Sequence, residues 1–221
     1  MIAEEPILQN IPDLSVSTGK TMSFIIETIL GVSTAFKKAI KQSNLIKPFN
    51  ENKLTQIFVE QIEVRVKPNP FVGVKNQYSD LFFGTKGIPD FYFHVVEEGI
   101  SHLPLFVVES KRLPSPSYEK EYVIGEKRNG GIERFKLEKH GKGLTNCGML
   151  GFIEKDRLDF WLKSVNIWIE ELSKFDNSWK IDEKLREVSG QSCNMHLNSI
   201  VHTLNSGDML LHHFWIILND D

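Results

Sequence analysis

Leu105-Phe106-Val107-Val108 is an unbroken apolar run that ends directly in Glu109-Ser110-Lys111. A short continuous apolar run bounded by turn signals suits a strand buried on both faces. Such a strand needs a covering layer on each side, so the chain is expected to form a mixed sheet flanked by helices, an α/β fold. Covering helices are readable on both sides of the run. Over residues 22–40, Ile25, Ile29, Val32, Phe36 and Ile40 recur at helical spacing, and Lys37, Lys38 and Lys41 suit the helix C-terminal dipole. Pro48 then breaks the chain, and a second helix is expected from about Asn50 through Leu54, Ile57, Phe58 and Gln61.

Residues 63–75 hold Pro68 and Pro70 and little regular pattern. Strands are expected at 77–83, 88–96 and 103–113, with turns at Gly84-Thr85-Lys86-Gly87 and Glu97-Glu98-Gly99. A short helix is expected at 132–139 and a strand at 147–153. Asp156 reads as the N-cap of a helix with apolar residues at 158, 161, 162, 165, 168, 169 and 172. Two further strands, 195–203 and 209–218, would be joined by a turn at Asn205-Ser206-Gly207-Asp208. The expected organisation is an N-terminal helical extension (1–48), a core (49–175) and a C-terminal extension packed on it as a β-hairpin (176–221).

The 221 residues are 41% hydrophobic and 25% charged, ordinary globular usage that leaves little room for disorder. No apolar run approaches the roughly 18 residues of a membrane span. Met1-Ile2-Ala3-Glu4-Glu5 is acidic where a secretory leader would be basic, so a cytoplasmic location is expected. Cys147 and Cys193 lie far apart and read as free thiols. The net charge is −3, which argues against an obvious nucleic-acid binder. Its distribution softens that objection. Residues 111–142 carry nine Lys/Arg against five Glu, so the basic excess directly follows Glu109-Ser110-Lys111.

Pro89-Asp90 ends one expected strand entrance and Glu109-Ser110-Lys111 closes the next strand. If the two strands pair antiparallel, Asp90 and Glu109 can meet and offer oxygen ligands to Mg²⁺ or Mn²⁺. Strand alternation sends Glu109 and Lys111 to one face and Ser110 to the other. The Lys111 ammonium then lies beside Glu109, where it can orient a water or stabilise developing charge. The Ser110 main-chain carbonyl can also reach a cation there.

Ile88-Pro89-Asp90-Phe91-Tyr92-Phe93 followed by Phe106-Val107-Val108-Glu109-Ser110-Lys111 resembles the core of the PD-(D/E)xK nucleases, the restriction-endonuclease-like group. The resemblance implies an α-β-β-β-α-β core, reproduced in order over residues 50–153. It implies Asp90 and Glu109 as metal ligands and Lys111 as the water-activating lysine. A further acidic residue from the first core helix is implied, with Glu51 favoured over Glu60. Arg134, with Lys136 behind it, is implied as the basic residue of the helix after the motif. Arg112, Lys127 and Arg128 complete the expected nucleic-acid contacts. The stretch between Lys111 and Gly130 departs from a compact core and is expected to serve substrate recognition. The implied activity is metal-dependent phosphodiester hydrolysis, in DNA, in restriction, defence, repair or a mobile element. A homodimer would bring two such sites together. Two alternatives stand beside it: an inactive nucleic-acid-binding module of the same fold, and an interaction protein acting through the 22–40 helix.

Other signals point elsewhere. Ser17-Thr18-Gly19-Lys20-Thr21 lacks the first glycine of a phosphate-binding loop, since position 14 is Leu14, and reads as a helix start with a hydroxyl cap. His212 and His213 are adjacent and would face opposite ways on a strand. The histidines therefore read as packing or surface residues, and Trp179, in a polar stretch, as an interaction residue.

Overall fold

Strand β3 (Pro104–Leu113) carries the apolar run, and it lies near the middle of one seven-stranded mixed sheet. The computed structural model describes residues 14–42, 49–77, 87–96, 104–191 and 194–218. Its other strands are β1 (Val72–Asn76), β2 (Phe91–Val95), β4 (Asn146–Ile153), β5 (Arg186–Gln191), β6 (Asn194–His202) and β7 (Asp208–Ile217). They run in the order β1-β2-β3-β4-β7-β6-β5. The contacts β3–β4 and β4–β7 are parallel, and the outer pairs are antiparallel. The three parallel strands are the ones covered on both faces, which is why each reads as an almost continuous apolar run.

Helices α1 (Leu14–Gly31), α2 (Ser33–Gln42) and α3 (Glu51–Val66) cover one face. Their core there includes Phe36, Phe58, Phe91, Phe106, Phe152 and Phe214. The other face is covered by α4 (Gly131–Lys136), α5 (Leu158–Phe175) and the segment leading into α4. Val107, Tyr122, Phe135, Met149, Trp168 and Trp215 pack there.

Several elements differ from expectation for identifiable reasons. The 22–40 helix is two helices interrupted at Val32, after Gly31, whose low helix propensity weakens the turn. Ile25, Ile29, Val32 and Phe36 are nevertheless all buried, as their spacing requires. Ser17 to Thr21 lie inside α1, so the expected helix start there is displaced. Residues 63–75 are not patternless: α3 continues to Val66 and β1 follows the prolines. Gln77 lies outside any strand with a left-handed φ of 49°, and the rest of the expected 77–83 strand lies outside the described residues. So do the turn at 97–99 and Cys193; Cys147 is a buried free thiol. Asp156 has a φ of 64° and the helix N-cap is Arg157, one residue later. Residues 176–221 are more than a packed extension, because β7 is inserted between β4 and β6 in the sheet. Among the described residues, no helix is long and apolar enough to cross a membrane.

Two corrections concern α4, which faces the candidate site. Trp179 is only 2% exposed and is a core residue rather than a surface anchor. Lys136, expected at a nucleic-acid surface, is buried with its ammonium on Glu183 and 5.0 Å from the Trp179 ring centre. Glu183 also accepts from the His202 backbone N–H, and Lys136 donates to the His202 carbonyl at 3.1 Å. These bonds fasten α4 to β6. Removing one partner of a buried ion pair costs about 3–5 kcal/mol. Lys136→Met is therefore expected to lower the melting temperature by roughly 6–20 °C in a chain of this size. Thermal melts followed by circular dichroism check this, and an unchanged melting temperature would contradict the anchoring role.

Candidate active site

Strands β2 and β3 pair antiparallel, with Phe91 opposite Val108. Asp90, the residue before β2, therefore arrives beside Glu109 and Ser110. The Ser110 backbone N–H donates to Asp90 Oδ2 at 2.7 Å, which fixes the carboxylate across the strand pair. Lys111 Nζ lies 3.0 Å from Glu109 Oε1, as expected for two residues on one face of a strand. Ser110 is fully buried, and its hydroxyl has no hydrogen-bond partner.

Glu51 enters from the far covering layer. It is the first residue of α3, which begins there because the Asn50 side chain caps the Lys53 N–H at 2.8 Å. Glu51 Oε1 lies 3.0 Å from Lys111 Nζ, and its second oxygen accepts from the Arg112 backbone N–H at 3.3 Å. Glu60, the other candidate from this helix, is exposed and accepts from Gln56 instead. The structure thus brings Glu51, Asp90, Glu109 and Lys111 together.

Arg134 approaches from α4, and Nη1 donates to Glu109 Oε1 at 2.5 Å. The start of this short helix is pinned to the preceding segment. Gly131, Ile132 and Glu133 donate backbone N–H bonds to the carbonyls of Glu121, Tyr122 and Val123. Gly130 must be glycine, since a Cβ would sit 2.3 Å from the Ile124 backbone. Tyr122 is fully buried, with its hydroxyl 2.9 Å from His213 Nδ1 and accepting from Trp215 Nε1 at 2.7 Å. Part of the stretch between Lys111 and Gly130 is therefore core.

Two residues that sequence reasoning passed over complete the surroundings. His140, read with the other histidines as a packing or surface residue, is 1% exposed with Nε2 3.5 Å from Glu109 Oε2. Glu121 accepts from Ser115 and Ser117 and faces the charges of Lys111 and Arg134. Neither sits in a motif, and only chain folding brings them near. By contrast, His196 stacks on His212 and Phe214, and His213 faces the other way toward Tyr122 and Ser199, so these histidines do pack.

The remaining basic candidates are spread out. Arg112 makes a two-pronged pair with Glu154, both bonds 2.6 Å. Lys127 is exposed, and the Arg128 side chain is 70% exposed and 3.9 Å from Glu133.

Burial dominates the titration of this cluster. It pushes the Asp90 carboxyl up to about 6, aided by the Glu109 charge and opposed by the Ser110 N–H and Lys111. It also raises Glu109, against the pull of Lys111 and Arg134, and raises Glu51 against Lys111. Burial works against the Lys111 ammonium, but Glu109, Glu51 and Asp90 outweigh it and hold the lysine above its ordinary value. Lys111 is thus protonated at neutral pH. Burial, with Arg134 and Lys111 adding, pulls His140 down to about 3, so its ring is neutral.

Among the described residues, no group of three or more His, Cys, Asp or Glu side chains is arranged to hold a metal ion. A cation here would rest on two carboxylates, backbone oxygen and water, a set that Mg²⁺ commonly uses. The residues fit that chemistry: Asp90 and Glu109 are hard oxygen donors, Asp90 being held on the Ser110 N–H next to Glu109, and Glu109 Oε1 already draws two cationic side chains. No known protein-family model, curated protein or solved structure matches this chain.

Burial holds the Asp90 carboxyl above its ordinary value in the folded chain. A folded-state value above the unfolded one means that stability is lost as pH rises from about 4 to about 6. In metal-free buffer, Asp90→Asn is expected to melt several degrees above the wild type at pH 7. That gap should close below about pH 4. Melting curves across this range check it, and an Asn variant that is less stable at pH 7 would refute the strained-carboxylate reading.

Proposed function

We propose that this chain is a metal-dependent nuclease that hydrolyses phosphodiester bonds, most readily in DNA, with a restriction-endonuclease-like core. The observation that carries the proposal is the Lys111 ammonium, held 3.0 Å from both Glu109 and Glu51 with Asp90 fixed alongside. The order α3-β1-β2-β3-α4-β4 supports it, since this is the α-β-β-β-α-β order of that nuclease group.

Asp90 and Glu109 would hold Mg²⁺ or Mn²⁺, with the Ser110 main-chain carbonyl and water as further oxygen donors, while Glu51 stays on Lys111 and the Arg112 N–H. When bound, the cation would make a coordinated water more acidic and offset charge on the phosphate. The chain's own residues do the rest. Lys111 stays protonated, so it serves as a hydrogen-bond donor and charge stabiliser rather than as a base. It orients the attacking water and meets the negative charge that develops on the phosphorus oxygens. Arg134 has a half-buried side chain on the same carboxylate and is placed to take a non-bridging phosphate oxygen. Arg112, Lys127 and Arg128 supply backbone contacts farther out, with Lys127 and Arg128 the exposed members.

Incubation with plasmid and single-stranded DNA plus Mg²⁺ or Mn²⁺ tests the assignment. Cleavage is expected, lost with chelator and reduced on the order of 10²–10³-fold or more in Asp90→Ala and Lys111→Ala. Cleavage that survives both substitutions would place the chemistry elsewhere. DNA binding without cleavage at any metal concentration would favour an inactive binding module. The cation should also raise the melting temperature of the wild type but not of Asp90→Ala, because it binds the native state alone.

A further inference from the structure

Among the described residues, three buried side-chain polar atoms lack a hydrogen-bond partner, and two of them, Glu109 Oε2 and His140 Nδ1, belong to neighbouring side chains. Between them lies the other imidazole nitrogen. His140 Nε2 is 3.4 Å from Arg134 Nη1 and 3.5 Å from Glu109 Oε2. It cannot serve both at once. Toward Arg134, which only donates, it must present a lone pair; toward a carboxylate it must carry a hydrogen. With the lone pair on Nε2, the ring hydrogen sits on Nδ1, buried without an acceptor. Moving that hydrogen to Nε2 would satisfy Glu109 Oε2. The move becomes favourable once Arg134 stops aiming a donor at the same atom.

Arg134 is the member free to leave. Its side chain is 27% exposed, against 1% for Glu109 and for His140. His140 is confined. Its ring packs on Phe135 with centroids 5.7 Å apart. Gly87 presses on it so closely that a Cβ there would lie 2.9 Å from His140 Cε1 and 2.3 Å from the Lys139 carbonyl oxygen. Two residues upstream, Glu138 accepts the backbone N–H groups of Asn205 and Ser206, tying this segment to the β6–β7 turn. Gly87 is also three positions before Asp90, so His140 touches both the carboxylate of Glu109 and the approach to Asp90.

We propose that His140 is a positioning residue that holds Glu109 through an exchange of partners. It accepts from Arg134 while that guanidinium rests on Glu109, and it donates Nε2–H to Glu109 Oε2 when Arg134 turns to a substrate phosphate. Glu109 then keeps a fixed orientation, with Oε2 anchored at the back and Oε1 directed at Lys111 and the cation position. The substrate phosphate in this inference rests on the nuclease reading; the partner exchange itself does not.

The test is nitrogen NMR of the histidine side chains in the metal-free protein, with His140 assigned through His140→Gln. Arg134→Ala mimics departure of the guanidinium and is expected to move His140 toward the Nε2–H tautomer. Arg134→Met, which keeps more of the stem, replaces it if the Ala variant does not fold. The same tautomer with and without Arg134 overturns the proposal. A second readout is Mn²⁺ affinity by calorimetry. His140→Phe is expected to weaken it about tenfold or more, as loss of a residue that orients a metal ligand does, and His140→Gln, which retains an N–H donor, to recover most of it. Wild-type affinity in His140→Phe overturns the anchoring role. If the wild type neither binds Mn²⁺ nor cuts DNA, the nuclease reading falls. The tautomer comparison uses no metal and no DNA and still decides the role of His140.

Discussion

An ionised carboxylate loses several kcal/mol of hydration when it is taken out of water, and Glu109 sits with its side chain 1% exposed in the sheet. The surrounding structure is organised around that cost. Lys111 comes from the same strand face and Arg134 from a helix on the covering layer, and both place positive charge on one oxygen. Lys111 is buried in turn and is compensated by Glu51 from the opposite layer. The result is an alternating charge chain, Glu51–Lys111–Glu109–Arg134, that links α3, β3 and α4. Each member is tolerable only because its neighbours are present, so the layers on the two faces of the sheet are locked to each other at this one point.

The same arrangement serves the two oxygens of Glu109 unequally. One oxygen is crowded with cations and the other faces only a neutral imidazole. Asp90 adds a further negative group that is itself held above its ordinary titration range. A protein that wanted only stability would more readily place apolar residues here, since replacing buried ion pairs with well-packed hydrophobic groups is often neutral or stabilising. Strongly perturbed titratable groups gathered in one cluster mark a candidate functional site.

The parts of this site that were legible in the sequence are those set by local rules. Strand alternation put Glu109 and Lys111 on one face, and antiparallel pairing of β2 with β3 put Asp90 beside them. The helix carboxylate could be narrowed to Glu51 and Glu60 with Glu51 favoured, but only packing shows Glu51 on Lys111 and Glu60 exposed. Lys136 and Trp179 misled for the opposite reason. Each looks like a surface residue in a polar stretch, and each is buried against the other through a contact 43 positions away in sequence. His140 left no trace at all, since nothing near it in the chain marks a histidine that meets residue 109. The two missed strands share a cause. β1 is five residues whose apolar alternation stops after Val72 and Val74, and β5 reads Arg-Glu-Val-Ser-Gly-Gln, so neither edge carries an alternation long enough to mark a strand.

The position of β7 has a consequence for the order in which the protein becomes competent. Tyr122, in the segment that seats α4, is held by His213 and Trp215, and both belong to β7. β7 also flanks β4 directly, so a chain still on the ribosome lacks this support until residues 208–217 have emerged. Until then the segment that seats Arg134 lacks its buried anchor. Synthesis thus brings Asp90, Glu109 and Lys111 out well before the strand that anchors Tyr122, and the frame around them is completed by the last of the described strands to be made.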